Sequence, residues 1–182
     1  MQHATIDRLY QGFSEASAIL GNNGEISLLT LLDDVARKSM LLSAASYFER
    51  RICDDVLDFA KNSSGTNSLI PSLVGSRVIK RQYHTWFDWN SNNANSFFSM
   101  FGAHFVAYMK GAIAGDDAVA SQILAFIEIG RERNKLVHND YAVFTVEKTA
   151  LEIYELYRNA ALFVDRIAMD LAACAHALDG EL

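Results

Sequence analysis

The stretch GRERNKLVHNDY, residues 130–141, gathers Arg131, Glu132, Arg133, Asn134, Lys135 and His138 directly after the apolar run ILAFIEI. A guanidinium can grip two phosphate oxygens at once and an imidazole changes charge near neutral pH, so these residue types could handle a phosphate. The ordinary alternative is a charged helix end, in which Arg131 and Lys135 complement the helix dipole and His138 sits near the last carbonyls. Arg133 separates the two. On a helical wheel over 116–138, Phe126, Ile129, Arg133, Leu136 and Val137 share one face, which puts the arginine inside an apolar stripe. A guanidinium at such a position costs several kcal/mol unless it is paired or faces a wet cleft or an interface. Asn134 and His138 are four residues apart and can touch. Arg133 and His138 point about 140° apart on an ideal helix. They meet at one phosphate only if the helix ends near Val137 or a second chain contributes. The residues NDY after His138 favour an ending there, because Asn and Asp tolerate the left-handed cap conformation.

The elements that must position these residues are helical. The chain has 182 residues, 51% of them apolar and 21% charged, which fits one globular domain with a substantial core, here 1–182. Its single proline favours long uninterrupted helices. The pattern predicts a helix over 3–20, a GNNG turn at 21–24, and a long helix over roughly 25–61 striped by Leu41, Ala45, Phe48, Ile52, Val56 and Phe59. A loop at 62–68 follows, then a short helical piece from Pro71, an irregular Asn- and Ser-rich connection over 85–96, and helices over 97–114 and 116–138. The last helix is the most regular. Val146, Ala150, Ile153, Tyr157, Ala160, Val164, Ile167, Leu171 and Cys174 step by four and three throughout, with Thr145 as the expected N-cap. No segment alternates with period two, so the expected fold is an all-α bundle without a sheet.

Composition narrows the function classes. A net charge of −6 argues against a general nucleic-acid coat protein while leaving room for a local basic cleft or a basic protein partner. No run of eighteen apolar residues occurs, so no membrane span is expected, and the N-terminus lacks the pattern of a secretory signal. Cys53 and Cys174 lie inside apolar helical patterns and read as buried thiols of a reducing cytoplasm. Neither has a Cys or His at ligand spacing, so no metal is expected.

With these residues in view, the chain resembles the HEPN superfamily. RNKLVH fits its signature of an arginine, a polar residue and a histidine after four to six intervening positions, and NANSFFSMFG with FIEIGRERNKLVHNDYA and a long final helix looks most like the RiboL-PSP branch. The likeness covers roughly residues 30–175; the short motif alone is weak, and its place at the end of a penultimate helix strengthens it. The resemblance implies a long second helix and a long C-terminal helix. It also implies a metal-independent endoribonuclease of a toxin–antitoxin or anti-phage system, with the active cleft between two protomers of a homodimer. Position by position, Arg133 is the motif arginine, Asn134 the polar follower and His138 the motif histidine. RNA would supply its own 2′-OH nucleophile, His138 would move the proton, and Arg133 would stabilise the growing phosphate charge, giving 2′,3′-cyclic phosphate and 5′-hydroxyl ends. No cofactor is implied; the partners implied are RNA, a second copy, and a cognate antitoxin or defence-complex protein. One branch of the superfamily carries His-x-Tyr, whose tyrosine a partner nucleotidyltransferase modifies. Here His138, Asn139, Asp140, Tyr141 is one residue longer and departs from that pattern.

Around the motif, Arg131, Lys135 and Tyr141 are candidate RNA contacts, the tyrosine either stacking on a base or packing in the core. RVIKR, residues 77–81, offers Arg77, Lys80 and Arg81 ahead of His84, Trp86 and Trp89. Basic residues with aromatics suit a single-stranded RNA path, against the alternative of a solvated face beside a core tryptophan pair. Glu49 lies next to Phe48 on the long helix and would orient Arg133 or His138 from behind, although its neighbours Arg50, Arg51, Asp54 and Asp55 read as surface ion pairs. His104, among Phe101, Phe105 and Tyr108, reads as a packed core histidine. The rival functions are a HEPN module that binds a nucleotide or partner without catalysis, and a structural subunit of a defence complex.

Overall fold

The computed structural model describes residues 3–80 and 82–179. Among these residues every regular element is helical, so the fold class is all-α as expected. Helices α1 (His3–Asn22) and α2 (Ile26–Ser63) flank a turn in which Gly24 takes φ 73°, a conformation that suits a residue without a Cβ. Helix α3 (Leu69–Leu73) runs into a π-helical segment (Val74–Ile79), closed by the Lys80 N–H on the Gly75 carbonyl at 3.2 Å. Helices α4 (Tyr83–Trp86) and α5 (Asn95–Ser99) bracket the connection at 87–94. Next come α6 (Ala103–Gly115), α7 (Asp117–His138) and α8 (Ala150–Asp179).

Three expectations about elements need correction. The helix expected over 97–114 is two, because Gly102 breaks it with φ 88° between α5 and α6. The last helix starts at Ala150, not after Thr145. Its first turn is fixed by a capping box: the Glu152 N–H reaches Thr149 Oγ1 at 3.2 Å and the Thr149 N–H reaches Glu152 Oε2 at 2.8 Å. Three residues after Thr145 stands Lys148, which cannot close such a box, and this is why the later threonine wins. The stripe survives the shift: Val146 is buried in the loop, and Ala150 through Cys174 are buried on α8. Finally, His104 is exposed on the first turn of α6, while Phe105 beside it is buried.

The chain divides into two compact units, whose boundaries fall within α2, α7 and α8. The first comprises Met1–Tyr47 and Glu128–Arg158. Its core is built from Ile6, Met40, Leu41, Ala44, Ile129, Leu136, Val146, Ile153 and Tyr157. Tyr10 stacks on Tyr154 with ring centroids 4.2 Å apart, and the Tyr154 hydroxyl donates to Asp7 at 2.9 Å. That bond to an acid, reinforced by burial, raises the phenol's pKa.

The second unit comprises Phe48–Ile127 and Asn159–Leu182 and is rich in aromatic contacts. Phe87 packs against Phe97 at 4.9 Å and Phe126 at 4.8 Å, and Phe126 meets Phe163 at 5.3 Å. Asp170, 6% exposed, accepts from Arg166 at 2.6 Å and from the Tyr108 hydroxyl at 3.3 Å, so its charge is matched. Cys174 is buried, whereas Cys53 is only half-buried on α2. Among the described residues no helix is long and apolar enough to cross a membrane.

Candidate functional site at the end of α7

The motif residues lie in the first unit, on the last two turns of α7. Along the helix face that carries Arg133, burial fades: Ile129 is 1% exposed, Arg133 is half-buried and Val137 is 44% exposed. Arg133 therefore does not stand in a closed core. The apolar stripe opens to the surface at the arginine, and only Glu132 and Leu136 stay buried on the final turns. Arg133, Asn134, Val137 and His138 share the arc that has opened.

The basic side chains around the motif sort into two groups. Arg131 pairs with Glu128 at 2.8 Å, and Lys148 reaches the same carboxylate at 3.1 Å. Lys135 pairs with Glu132 at 2.6 Å, and this bond holds the ammonium pKa above its ordinary value. Both flanking cations thus have an acid partner one turn back. Arg133 and His138 differ: among the described residues neither has a carboxylate partner. Arg133 donates from Nη1 to Asn134 Oδ1 at 3.1 Å, a bond to a neutral amide that leaves its other N–H donors available. Asn134 thus meets Arg133, its neighbour in the chain. Helix α7 continues through His138, where the Asn139 amide closes the Lys135 carbonyl at 2.6 Å. The helix ends at His138, where the 116–138 reading placed it, and the two motif side chains keep their helical divergence.

Behind the motif is a pair of cations that the sequence reading did not single out. Arg37 on α2 pairs with Asp33 at 2.8 Å and donates from Nη1 to the Val146 carbonyl at 2.7 Å. Lys38, 2% exposed, pairs with Asp34 at 2.7 Å and donates to the Tyr141 carbonyl at 2.9 Å. Its ammonium also stands over the Tyr141 ring, 5.1 Å from the centroid. Together they tie the loop between α7 and α8 to α2. A signal was present: Lys38 continues the stripe of Leu41, Ala45 and Phe48 one step toward the N-terminus, so it is a charge at a core position just as Arg133 is.

Tyr141 is 46% exposed, so it is no core residue. Its loop is ordered locally by Asp140, whose side chain accepts the Ala142 N–H at 3.0 Å and whose carbonyl accepts the Phe144 N–H at 2.8 Å.

The remaining candidates lie in the second unit. Glu49 is exposed and, after burial itself, contributes with Asp54 to pushing the Cys53 thiol up to about 11. Lys80 is exposed just past the π-helical segment, and Arg81 lies outside the described residues. Because 74–79 is π-helical, Arg77 and Lys80 do not sit on successive α-helical turns. Trp86 is buried with its indole N–H on the Val78 carbonyl at 3.3 Å, and Trp89 is half-buried with its own on His84 at 3.3 Å. Trp86 is thus a core tryptophan and Trp89 a half-buried one, while Arg77 and Lys80 are exposed. Among the described residues no three of His, Cys, Asp and Glu stand together as metal ligands would.

Among the described residues the regular elements are all helical, with a long second helix and a long last helix, and this arrangement is consistent with a HEPN bundle. More specifically, the model of the RiboL-PSP-HEPN family matches residues 7–172, and the chain belongs to that family. No curated protein and no solved structure matches it.

Proposed function

We propose that the chain, acting as one HEPN-like domain, is a metal-independent endoribonuclease of a toxin–antitoxin or anti-phage system in the cytoplasm, working as a homodimer. Membership of the RiboL-PSP-HEPN family supports the nuclease class. The observation that carries the reading is the state of Arg133 and His138: of the basic side chains at the end of α7, they are the ones without acidic partners among the described residues, and both lie on the surface arc that opens there. Arg133 would hold the scissile phosphate and stabilise its growing charge. His138 would take the 2′-OH proton or protonate the departing 5′-oxygen, with Asn134 fixing the guanidinium. The nucleophile belongs to the RNA, so the chemistry requires no metal-activated water. Since α7 stays helical through His138, the two side chains leave the axis about 140° apart. A second copy, placed two-fold about this arc, would bring one protomer's arginine near the other's histidine and supply an acid and a base together. Arg131, Lys135 and Tyr141 would line the approach, and Lys80, Arg81 and Glu49 are the further candidates. An antitoxin or defence-complex protein would be the natural inhibitor or trigger.

The test is cleavage of total RNA in EDTA by the wild type, Arg133→Ala and His138→Ala, each first shown to be a folded dimer. The expected result is cutting by the wild type to cyclic-phosphate ends, reduced by about 100-fold or more in each variant. No cutting by the folded wild type would sink the reading. The ion pairs on Arg131 and Lys135 favour a second reading, a HEPN module that binds a partner or nucleotide without catalysis. A folded dimer that binds RNA and leaves it intact would establish that one, and a soluble monomer on gel filtration would favour a structural subunit.

A further inference from the structure

Lys38 is a cation almost wholly withdrawn from water, 2% exposed, with all of its visible interactions directed at two places. One is Asp34, 2.7 Å away on its own helix, which neutralises it. The other is Tyr141, which it holds twice: by the backbone carbonyl at 2.9 Å and by one face of the ring at 5.1 Å. Holding both the main chain and the side chain of one residue fixes where that residue is and which way its ring lies. Tyr141 as a whole remains 46% exposed, three residues after His138, and Val143 beyond it is 76% exposed. The segment does not rely on Lys38 alone, since Asp140 closes it internally and Arg37 anchors Val146. A surface aromatic held three residues after the motif histidine, with a cation over one face of its ring, has the makings of a stacking platform.

We infer that Lys38 is a positioning residue that holds Tyr141 as the platform for a nucleobase next to the phosphate bound at Arg133. This rests on the proposed RNA-cleaving role, and names how the RNA would be held in register there. The ring face turned away from the ammonium takes the base, and the Lys38 contact spares the tyrosine the cost of ordering on binding. Stacking of a base on an aromatic contributes about 1–3 kcal/mol by substitution, so losing it weakens binding by roughly 5- to 150-fold.

The experiment measures binding of a fluorescein-labelled single-stranded oligonucleotide with 2′-deoxy sugars, which the chain cannot cut. Full-length wild type, Tyr141→Leu, Lys38→Met, Lys38→Arg and the Tyr141→Leu/Lys38→Met double variant are compared by anisotropy. Tyr141→Leu and Lys38→Met are expected to weaken binding by similar factors, about tenfold. The double variant should be no weaker than either single, because both remove the same platform. Lys38→Arg should keep most of the affinity. If Lys38→Met does not fold, Asp34→Asn, which loosens the ammonium at a partly exposed site, should show a smaller loss in the same direction. Unchanged binding in Tyr141→Leu or in a folded Lys38→Met, or losses that multiply in the double variant, would overturn the assignment, as would a wild type that does not bind. Wild type that binds with this pattern but leaves cleavable RNA intact would sink the nuclease reading alone.

Discussion

Replacing Arg37 by methionine would measure what one hydrogen bond does for the loop that follows the motif. The bond runs from Nη1 to the carbonyl of Val146, a residue 1% exposed, at 2.7 Å. Without it the carbonyl is left buried and unpaired, and a hydrogen bond from a charged donor contributes about 1.5–3 kcal/mol. The ion pair with Asp33 adds less. That carboxylate is 38% exposed, so water takes over when the arginine leaves, and such pairs contribute at most about 1 kcal/mol. The expected cost is therefore about 2–4 kcal/mol, or a fall in Tm of roughly 4–16 °C for a chain of this size. Far-UV circular dichroism through thermal and urea unfolding gives the number, and a cycle with Asp33→Asn divides it. Coupling between Arg37 and Asp33 should stay below about 1 kcal/mol, leaving the larger share to the carbonyl. Arg37→Lys should recover part of the loss. A cost under about 0.5 kcal/mol for Arg37→Met, or a coupling with Asp33 that accounts for all of it, would refute the reasoning.

Two further outcomes are expected. The carboxyl of Glu152 is held below the ordinary glutamate value of 4.5, first because it accepts the Thr149 N–H and then the Thr149 hydroxyl. Its contribution to stability is thus present above that value and lost as pH falls through the lowered pKa. In Thr149→Ala, NMR titration should find the Glu152 pKa closer to 4.5 and unfolding should show a loss of about 1 kcal/mol; an unmoved pKa would remove the capping box from the account. With its thiol pushed up to about 11, chiefly by burial, Cys53 in a Cys174→Ala background should react with iodoacetamide at pH 8 on the order of 100-fold more slowly than free cysteine. Equal rates would mean that the site is open to water. Glu49→Gln should recover only part of the difference, because the acid is a lesser cause than burial.

What the sequence revealed depended on how far each signal reached along the chain. The α8 stripe was plain because eight buried positions from Ala150 to Cys174 repeat one period, and no single residue can mislead. Its start was misplaced because a cap is a local contest. Thr145 and Thr149 look alike as single residues, and only Glu152, three positions past the second, decides between them. The break at Gly102 was lost for a similar reason: apolar residues continue on both sides, and only the positive φ interrupts the helix. His104 was assigned to the core by its aromatic neighbours in the chain, yet neighbours in sequence point to different sides of a helix, and Phe105 took the inward position.

At the site, Arg133 was legible as a charge on an apolar face, but the face turns out to open there, which changes the reason that charge is tolerated. Val137 at 44% exposure marks the change. The acid partners of Arg131 and Lys135 were in view as Glu128 and Glu132, three residues earlier in each case, and could have been paired by spacing alone. Lys38 and Arg37 were out of reach for another reason. What they hold is backbone, the carbonyls of Tyr141 and Val146, more than a hundred positions away in the chain. Side-chain patterns carry no record of which carbonyl lacks a donor.

The chain has two tryptophans, Trp86 and Trp89, and both belong to the unit of Phe48–Ile127 and Asn159–Leu182. Indole emission therefore reports on one unit, while Arg133, His138, Lys38 and Tyr141 all lie in the tryptophan-free other. A denaturation curve followed by tryptophan fluorescence watches the aromatic core around Phe87 and Phe126 and is blind to local loosening at the motif. The motif's own unit has a different optical handle, the parallel rings of Tyr10 and Tyr154 at 4.2 Å and 3°, close enough for their near-ultraviolet transitions to couple. Recording both signals in one experiment would show whether the part of the chain that bears the candidate site melts together with the rest.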